Sequence, residues 1–241
     1  MEKWLIIELC YDGTSYAGWQ IQPNAITVQG TIENALKKLN SNVSVNVVGC
    51  GRTDSGVHAR QYFMHLQWPA KGLPSLKYKL NKMLPCDIKI LSCEEKKIHA
   101  RFDAKRRTYR YFIGKEKDPF GDRYQWSFER KLDINTMNEA CGFLTGKQDF
   151  ASFAKGDSDV KTTICEVFHT HWGETETQYT FEVCADRFLR NMVRAMVGTL
   201  IEVGLHNIEP AQIKNILEQK NRQEAALSVP AKGLFLWKVE Y

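Results

Sequence analysis

RRTYRYFI, residues Arg106 to Ile113, decides how the sequence is parsed. Its side chains alternate in type, so it reads as a strand with Arg107, Tyr109 and Tyr111 on one face and Thr108 and Arg110 on the other. Before it, strands are expected at Trp4–Tyr11, Val43–Val48, Tyr62–Gln67 and Ile88–Cys93. Helices are expected after Thr27, with Val28, Ile32, Ala35, Leu36 and Leu39 recurring, and after Pro74 and Ser75. That order is βαββαβ. After Arg106 it returns: a helix marked by Met137, Ala140, Cys141 and Leu144, then a strand pair, Lys161–Trp172 and Thr177–Cys184, joined around Gly173. A helix over Leu189–Val203, a short one over Ala211–Leu217 and a closing strand at Leu234–Tyr241 complete it. Only the element order recurs; no residue-by-residue repeat is visible.

The expected class is therefore α+β. Two ferredoxin-like halves, residues 1–104 and 105–241, would join their antiparallel sheets and leave a central cleft between them. A cleft at such a junction is a favoured place for a site. At 241 residues, 43% hydrophobic and 25% charged, the composition is ordinary for a globular protein. No apolar run approaches the roughly 20 residues of a membrane span, and the start reaches an acid too soon for a signal peptide. Seven cysteines without a C-x-x-C pair favour free thiols over disulfides or a zinc ribbon, which points to the cytoplasm.

Charge is unevenly spread. Lys96–Lys115 holds eight Lys or Arg against Asp103, a net +7 in a chain whose total is +5. A solvated face is the plain explanation, but Phe102, Tyr109, Tyr111 and Phe112 interleave with the cations. Cations for phosphates beside rings for bases is a nucleic-acid composition. Lys105, Arg106 and Arg110 are expected near nucleic-acid backbone, while Arg107 shares the face of Tyr109 and points towards the active site. Further along, Arg187, Arg190 and Arg194 would line one side of a helix, if that helix begins early enough. GCGRTDSGVHA (Gly49–Ala59) follows the second strand, and Gly51 and Gly56 there can bend the chain around Arg52 and Asp54. Taken alone, the loop also reads as a tight turn.

Together these stretches resemble one family, the tRNA pseudouridine synthases of the TruA type. GCGRTDSGVHA is similar to that family's signature loop. YDGTSYAGWQIQPNAITVQGTIENAL, RFDAKRRTYRYFI, GKQDFASFAK, FLRNMVRAMVGTLIEVG and VPAKGLFLWKVEY also match, in order, over nearly the whole chain. The resemblance implies an isomerase acting on uridines 38–40 of the tRNA anticodon stem-loop, a homodimer, and no metal or organic cofactor. It places the catalytic aspartate on Asp54, the active-site tyrosine on Tyr109, the flanking arginine on Arg52 and the helix arginine on Arg194. Ser55 stands where many members have alanine, and Thr108 where some have arginine.

The chemistry suits these residue types. Pseudouridine formation breaks the C1′–N1 bond and joins C1′ to C5, so the base must first be flipped from its stack. A carboxylate can attack the sugar, attack the base, or remove the C2′ proton, and the sequence leaves all three open. An arginine such as Arg194 would keep that carboxylate ionised, and Arg52 would fill the space of the flipped base. Tyr109 would stack on the uracil. His58 either fixes the signature loop or contacts RNA. His169 and His171 share a strand face, but no third ligand completes a metal set. The rival reading is a non-catalytic RNA-binding module. Phosphoryl transfer fails because no lysine follows the glycines and no helix follows the loop.

Overall fold

Thr27 caps the first helix as its sequence suggests, its hydroxyl accepting the Gly30 N–H at 3.2 Å. The computed structural model describes residues 2–69, 73–156 and 161–241 and is mixed α+β. Its contacts divide the chain into two units, residues 1–105 with 235–241, and residues 106–234. The closing strand, given to the second half by chain order, thus groups with the first unit.

In the first unit the elements are β1 (Glu2–Tyr11), α1 (Val28–Leu39), β2 (Val48–Gly49), β3 (His58–Pro69), α2 (Leu76–Met83) and β4 (Ile88–Glu95). The sheet runs β4-β1-β3, with both pairings antiparallel. The edge of β3 is shared. β2 pairs with its middle, Val48 opposite His65, and the final strand, numbered β10 (Leu234–Glu240), pairs in parallel with its start, Phe235 opposite His58. A strand over Val43–Val48 does not form. Val47 and Val45 are buried as alternation requires, but α1 takes up the backbone there. Glu33 accepts the Val47 N–H at 3.1 Å and Gln29 donates to the Val47 carbonyl at 3.3 Å, so the ladder partners are side chains.

The second unit holds β5 (Arg106–Gly114), the two-residue β6 (Trp126–Ser127), α3 (Ile134–Leu144) and β7 (Gly146–Asp149). It continues with β8 (Ile164–Glu174), β9 (Gln178–Ala185), α4 (Met192–Gly204) and α5 (Gln212–Gln219). The strand order is β5-β9-β8-β7, antiparallel throughout. α3 lays Met137, Ala140, Cys141 and Leu144 against β8 and α4, and all four side chains are buried. The β8–β9 turn lies at residues 175–177 rather than at Gly173, because the Thr175 N–H donates to the Gln178 carbonyl, the Gln178 N–H donates to the Thr175 hydroxyl, and Gly173 stays paired with Thr180.

Candidate active site

The loop between β2 and β3 lies on the segment that leaves β1. Gly18, at φ +90°, lets the Thr53 carbonyl approach so closely that a Cβ would meet it at 2.4 Å. The Trp19 N–H then donates to that carbonyl at 3.2 Å. Two further bonds end on the Tyr16 carbonyl, from the Ser55 hydroxyl at 3.2 Å and the Gly56 N–H at 3.3 Å. Gly56 turns the chain at φ 76°, while Gly51 has neither a positive φ nor a close neighbour. The bend expected of Gly51 and Gly56 rests on Gly56 alone, while Gly18 opposite makes room for the Thr53 carbonyl. Arg52 is exposed and Asp54 half-buried, and the Asp54 carbonyl accepts the Val57 N–H at 3.2 Å. The Ser55 hydroxyl therefore bonds backbone.

His58 is 1% exposed and stacks on Phe235 with ring centroids 4.5 Å apart. Its Nδ1 lies 3.1 Å from the Gly13 nitrogen and 3.0 Å from an Asp12 carboxylate oxygen. A neutral Nδ1 accepts from Gly13; a protonated one donates to Asp12. Either way the ring ties β3 to the Asp12–Gly13 turn, which supports the loop-fixing reading of this residue. Asp12 was not singled out from sequence. Its signal in the sequence is the Asp-Gly step directly after β1.

On β5, Tyr109 is half-buried and meets Phe188 edge-on, centroids 5.0 Å apart at 82°. Arg107 donates to the Asp186 carbonyl at 2.7 Å. Lys105 is exposed, and Arg106 lays its guanidinium 4.6 Å from the centre of the Phe168 ring. Arg110 pairs with Glu182, which also meets His169 at 3.1 Å. Burial pushes the Glu182 carboxyl up, but hydrogen bonds from Arg110 and His169 outweigh it and hold the group below the usual carboxylate range. Tyr111 is fully buried, and burial drives its phenol well above the ordinary range. Its hydroxyl donates to the Pro230 carbonyl at 2.7 Å.

The arginine stripe is not one helix face. α4 begins at Met192 because Asn191 adopts a left-handed conformation at φ 66°, leaving Arg187 and Arg190 ahead of the helix. Arg194 is on it, half-buried, with Nε donating to the Val229 carbonyl at 2.7 Å. The Val229 N–H returns a bond to the Arg194 carbonyl at 3.3 Å. Arg194 and Tyr111 thus hold consecutive carbonyls, residues 229 and 230, of the closing motif. His169 and His171 are both exposed on β8. Among the described residues no group of three His, Cys, Asp or Glu is arranged to hold a metal ion.

With this geometry in hand, comparison with known proteins is specific. A family model described as tRNA pseudouridine synthase matches residues 140–241. The tRNA pseudouridine synthase A of Bacteroides fragilis is 46% identical over 240 residues, covering 98% of this chain and 95% of that protein. That of Parabacteroides distasonis is 45% identical, covering 98% and 94%. That of Clostridium acetobutylicum is 41% identical, covering 98% of each chain. Identity at this level over nearly the full length places the chain in the tRNA pseudouridine synthase A family.

Proposed function

We infer that this protein is an isomerase converting uridine in tRNA to pseudouridine. The carrying observation is the 46% identity to the Bacteroides fragilis enzyme over 98% of the chain. Within that activity, we propose uridines 38–40 of the anticodon stem-loop as targets, a homodimer as the working form, and the cytoplasm as its place. No described helix is long and apolar enough to cross a membrane. We further propose two ferredoxin-like halves in chain order, residues 1–104 with the signature loop and 105–241 with the RRTYRY strand and the FLRNMVR helix, the closing residues 235–241 of the latter grouping with the first unit. The βαββαβ order of β1 to β4 supports the first of these.

Roles are assigned residue by residue. Asp54 is the essential carboxylate, Arg52 fills the gap left by the flipped base, Tyr109 stacks on the uracil, and Arg194 is the active-site cation. Half-burial of Asp54, Tyr109 and Arg194 and exposure of Arg52 fit these assignments. Phe188, edge-on to Tyr109, keeps that ring from rotating freely. Lys105, Arg106 and Arg110 supply phosphate contacts, Arg107 on the face of Tyr109 points towards the active site, and His58 acts by holding the loop.

The test is direct. Wild-type protein and unmodified tRNA, with nothing else added, should yield carbodiimide-stable adducts diagnostic of pseudouridine. Asp54→Asn should give none while binding the same tRNA, because phosphate contacts carry most of the affinity. A tenth of the wild-type single-turnover rate in that variant, roughly 1.4 kcal/mol of barrier, would remove Asp54 from the essential role.

A further inference from the structure

Beneath the signature loop lies a buried aromatic trio that the reaction has not yet used. Tyr11, Trp19 and Tyr62 are 4%, 2% and 0% exposed. Trp19 stacks on Tyr62 at 4.1 Å between centroids, and Tyr11 lies 6.2 Å from Trp19 and 5.6 Å from Tyr62. Gly49 makes room for it, since a Cβ there would meet the Tyr62 hydroxyl at 2.1 Å and the Trp19 ring at 2.7 Å. Three polar atoms of the trio reach the loop. The Tyr62 hydroxyl donates to the Gly51 carbonyl at 2.6 Å. The Trp19 backbone N–H holds the Thr53 carbonyl at 3.2 Å, and the Tyr11 hydroxyl shares a hydrogen bond with the Thr53 hydroxyl at 2.8 Å.

These bonds fall on residues 51 and 53. They fasten the chain on both sides of Arg52 and directly before Asp54. We propose that Tyr11 and Tyr62 are positioning residues for the reaction inferred above, setting the direction of the Asp54 carboxylate through Thr53 and Gly51 without touching substrate. Locked rings make good levers. Stacking removes their rotamer freedom, so each hydroxyl is a fixed point rather than a mobile donor. The trio also adds to the contacts at Gly18 and Tyr16 that join two distant parts of the sequence, YDGTSYAGWQ and GCGRTDSG.

Tyr11→Phe and Tyr62→Phe keep the rings and remove only the hydroxyls. Each should lower the single-turnover rate by about tenfold, since misplacing a reacting group by a fraction of an ångström carries penalties of this order. The tRNA dissociation constant should move by less than about twofold, because phosphate contacts set it. Thr53→Val should match Tyr11→Phe, the double variant should be no slower than either, and Thr53→Ser should restore the rate. Tyr179→Phe is the control. It removes a buried hydroxyl that accepts the Leu132 N–H in the second unit, so it should lower Tm similarly and leave the rate unchanged. Wild-type rates for both Phe variants beside an inactive Asp54→Asn would overturn this inference alone. An equal rate loss in Tyr179→Phe would reduce it to general stability and overturn it as well. An active Asp54→Asn would overturn both this inference and the assignment of Asp54 as the essential carboxylate, on which it rests, while leaving the isomerase reading in place.

Discussion

At the scale of single residues, the loop around Asp54 is defined by which glycines need to be glycines. Gly18 combines φ +90° with a Thr53 carbonyl 2.4 Å from where a Cβ would stand, whereas nothing lies within 4 Å of a Cβ at Gly51. Gly18→Ala should therefore cost about 1–3 kcal/mol of stability, by strain at a left-handed position and by displacing the Thr53 peptide. Because that peptide precedes Asp54, the single-turnover rate should fall with it. Gly51→Ala should change unfolding free energy by no more than about 0.5 kcal/mol. Paired denaturant melts check both; equal stabilities for the two variants would contradict the geometry. The residue types at this site were legible in the sequence, but their partners were not. Glycine, aspartate and arginine advertise a bent, charged loop. Nothing local in GCGRTDSG says that Gly18, some thirty residues earlier, is where the Thr53 carbonyl packs against the backbone.

At the scale of elements, α1 replaces most of an expected strand. Glu33 and Gln29, one helical turn apart, bond each other at 2.9 Å and hold the Val47 N–H and carbonyl. Glu33→Ala should leave that N–H without its acceptor and cost about 1–3 kcal/mol, the penalty for an unsatisfied, largely buried donor. Glu33→Gln keeps an acceptor oxygen and should cost less. Lys38→Ala, on the exposed side of the same helix, should be near neutral in the same thermal unfolding series. If Glu33→Ala were as mild as Lys38→Ala, the side-chain ladder would not be what shapes residues 43–47. This also explains where periodicity failed. VSVNVV, β-branched and short, reads as a strand, and Val45 and Val47 do point inward, but the pattern alone cannot tell whether a backbone's partner is a strand or a helix side chain. The same limit applies at α4. The apolar stripe from Leu189 to Val203 is real, yet the left-handed Asn191 starts the helix at Met192 and takes Arg187 and Arg190 off its face. β1, α3, β5 and β9, whose patterns are long or cleanly periodic, lie where the sequence places them.

At the scale of the whole molecule, the distribution of charge matters more than its total. The stretch Lys96–Lys115 carries a net +7, but its cations differ in how they are held. Lys115 is bonded to Glu174 at 2.6 Å and Arg110 is paired with Glu182, whereas Lys96, Lys97 and Lys105 are exposed on the first unit. A phosphate can use Arg110 only in competition with Glu182, whose depressed carboxyl stays ionised at neutral pH. The stabilising share of that pair is fully present above the ordinary carboxylate value and is lost as pH falls through the lower, folded one. Binding should thus respond to both partners in opposite senses. Arg110→Ala should flatten the dependence of log K on log salt by about 0.7–0.9, one phosphate contact, and weaken every tRNA about equally. Glu182→Gln removes the competing charge at nearly constant shape, so it should tighten binding and steepen the slope. Anisotropy titrations at several salt concentrations, held at neutral pH, give both slopes. If neither changes, Arg110 and Glu182 form a surface ion pair with no part in RNA contact, and the electrostatic work falls to the exposed lysines.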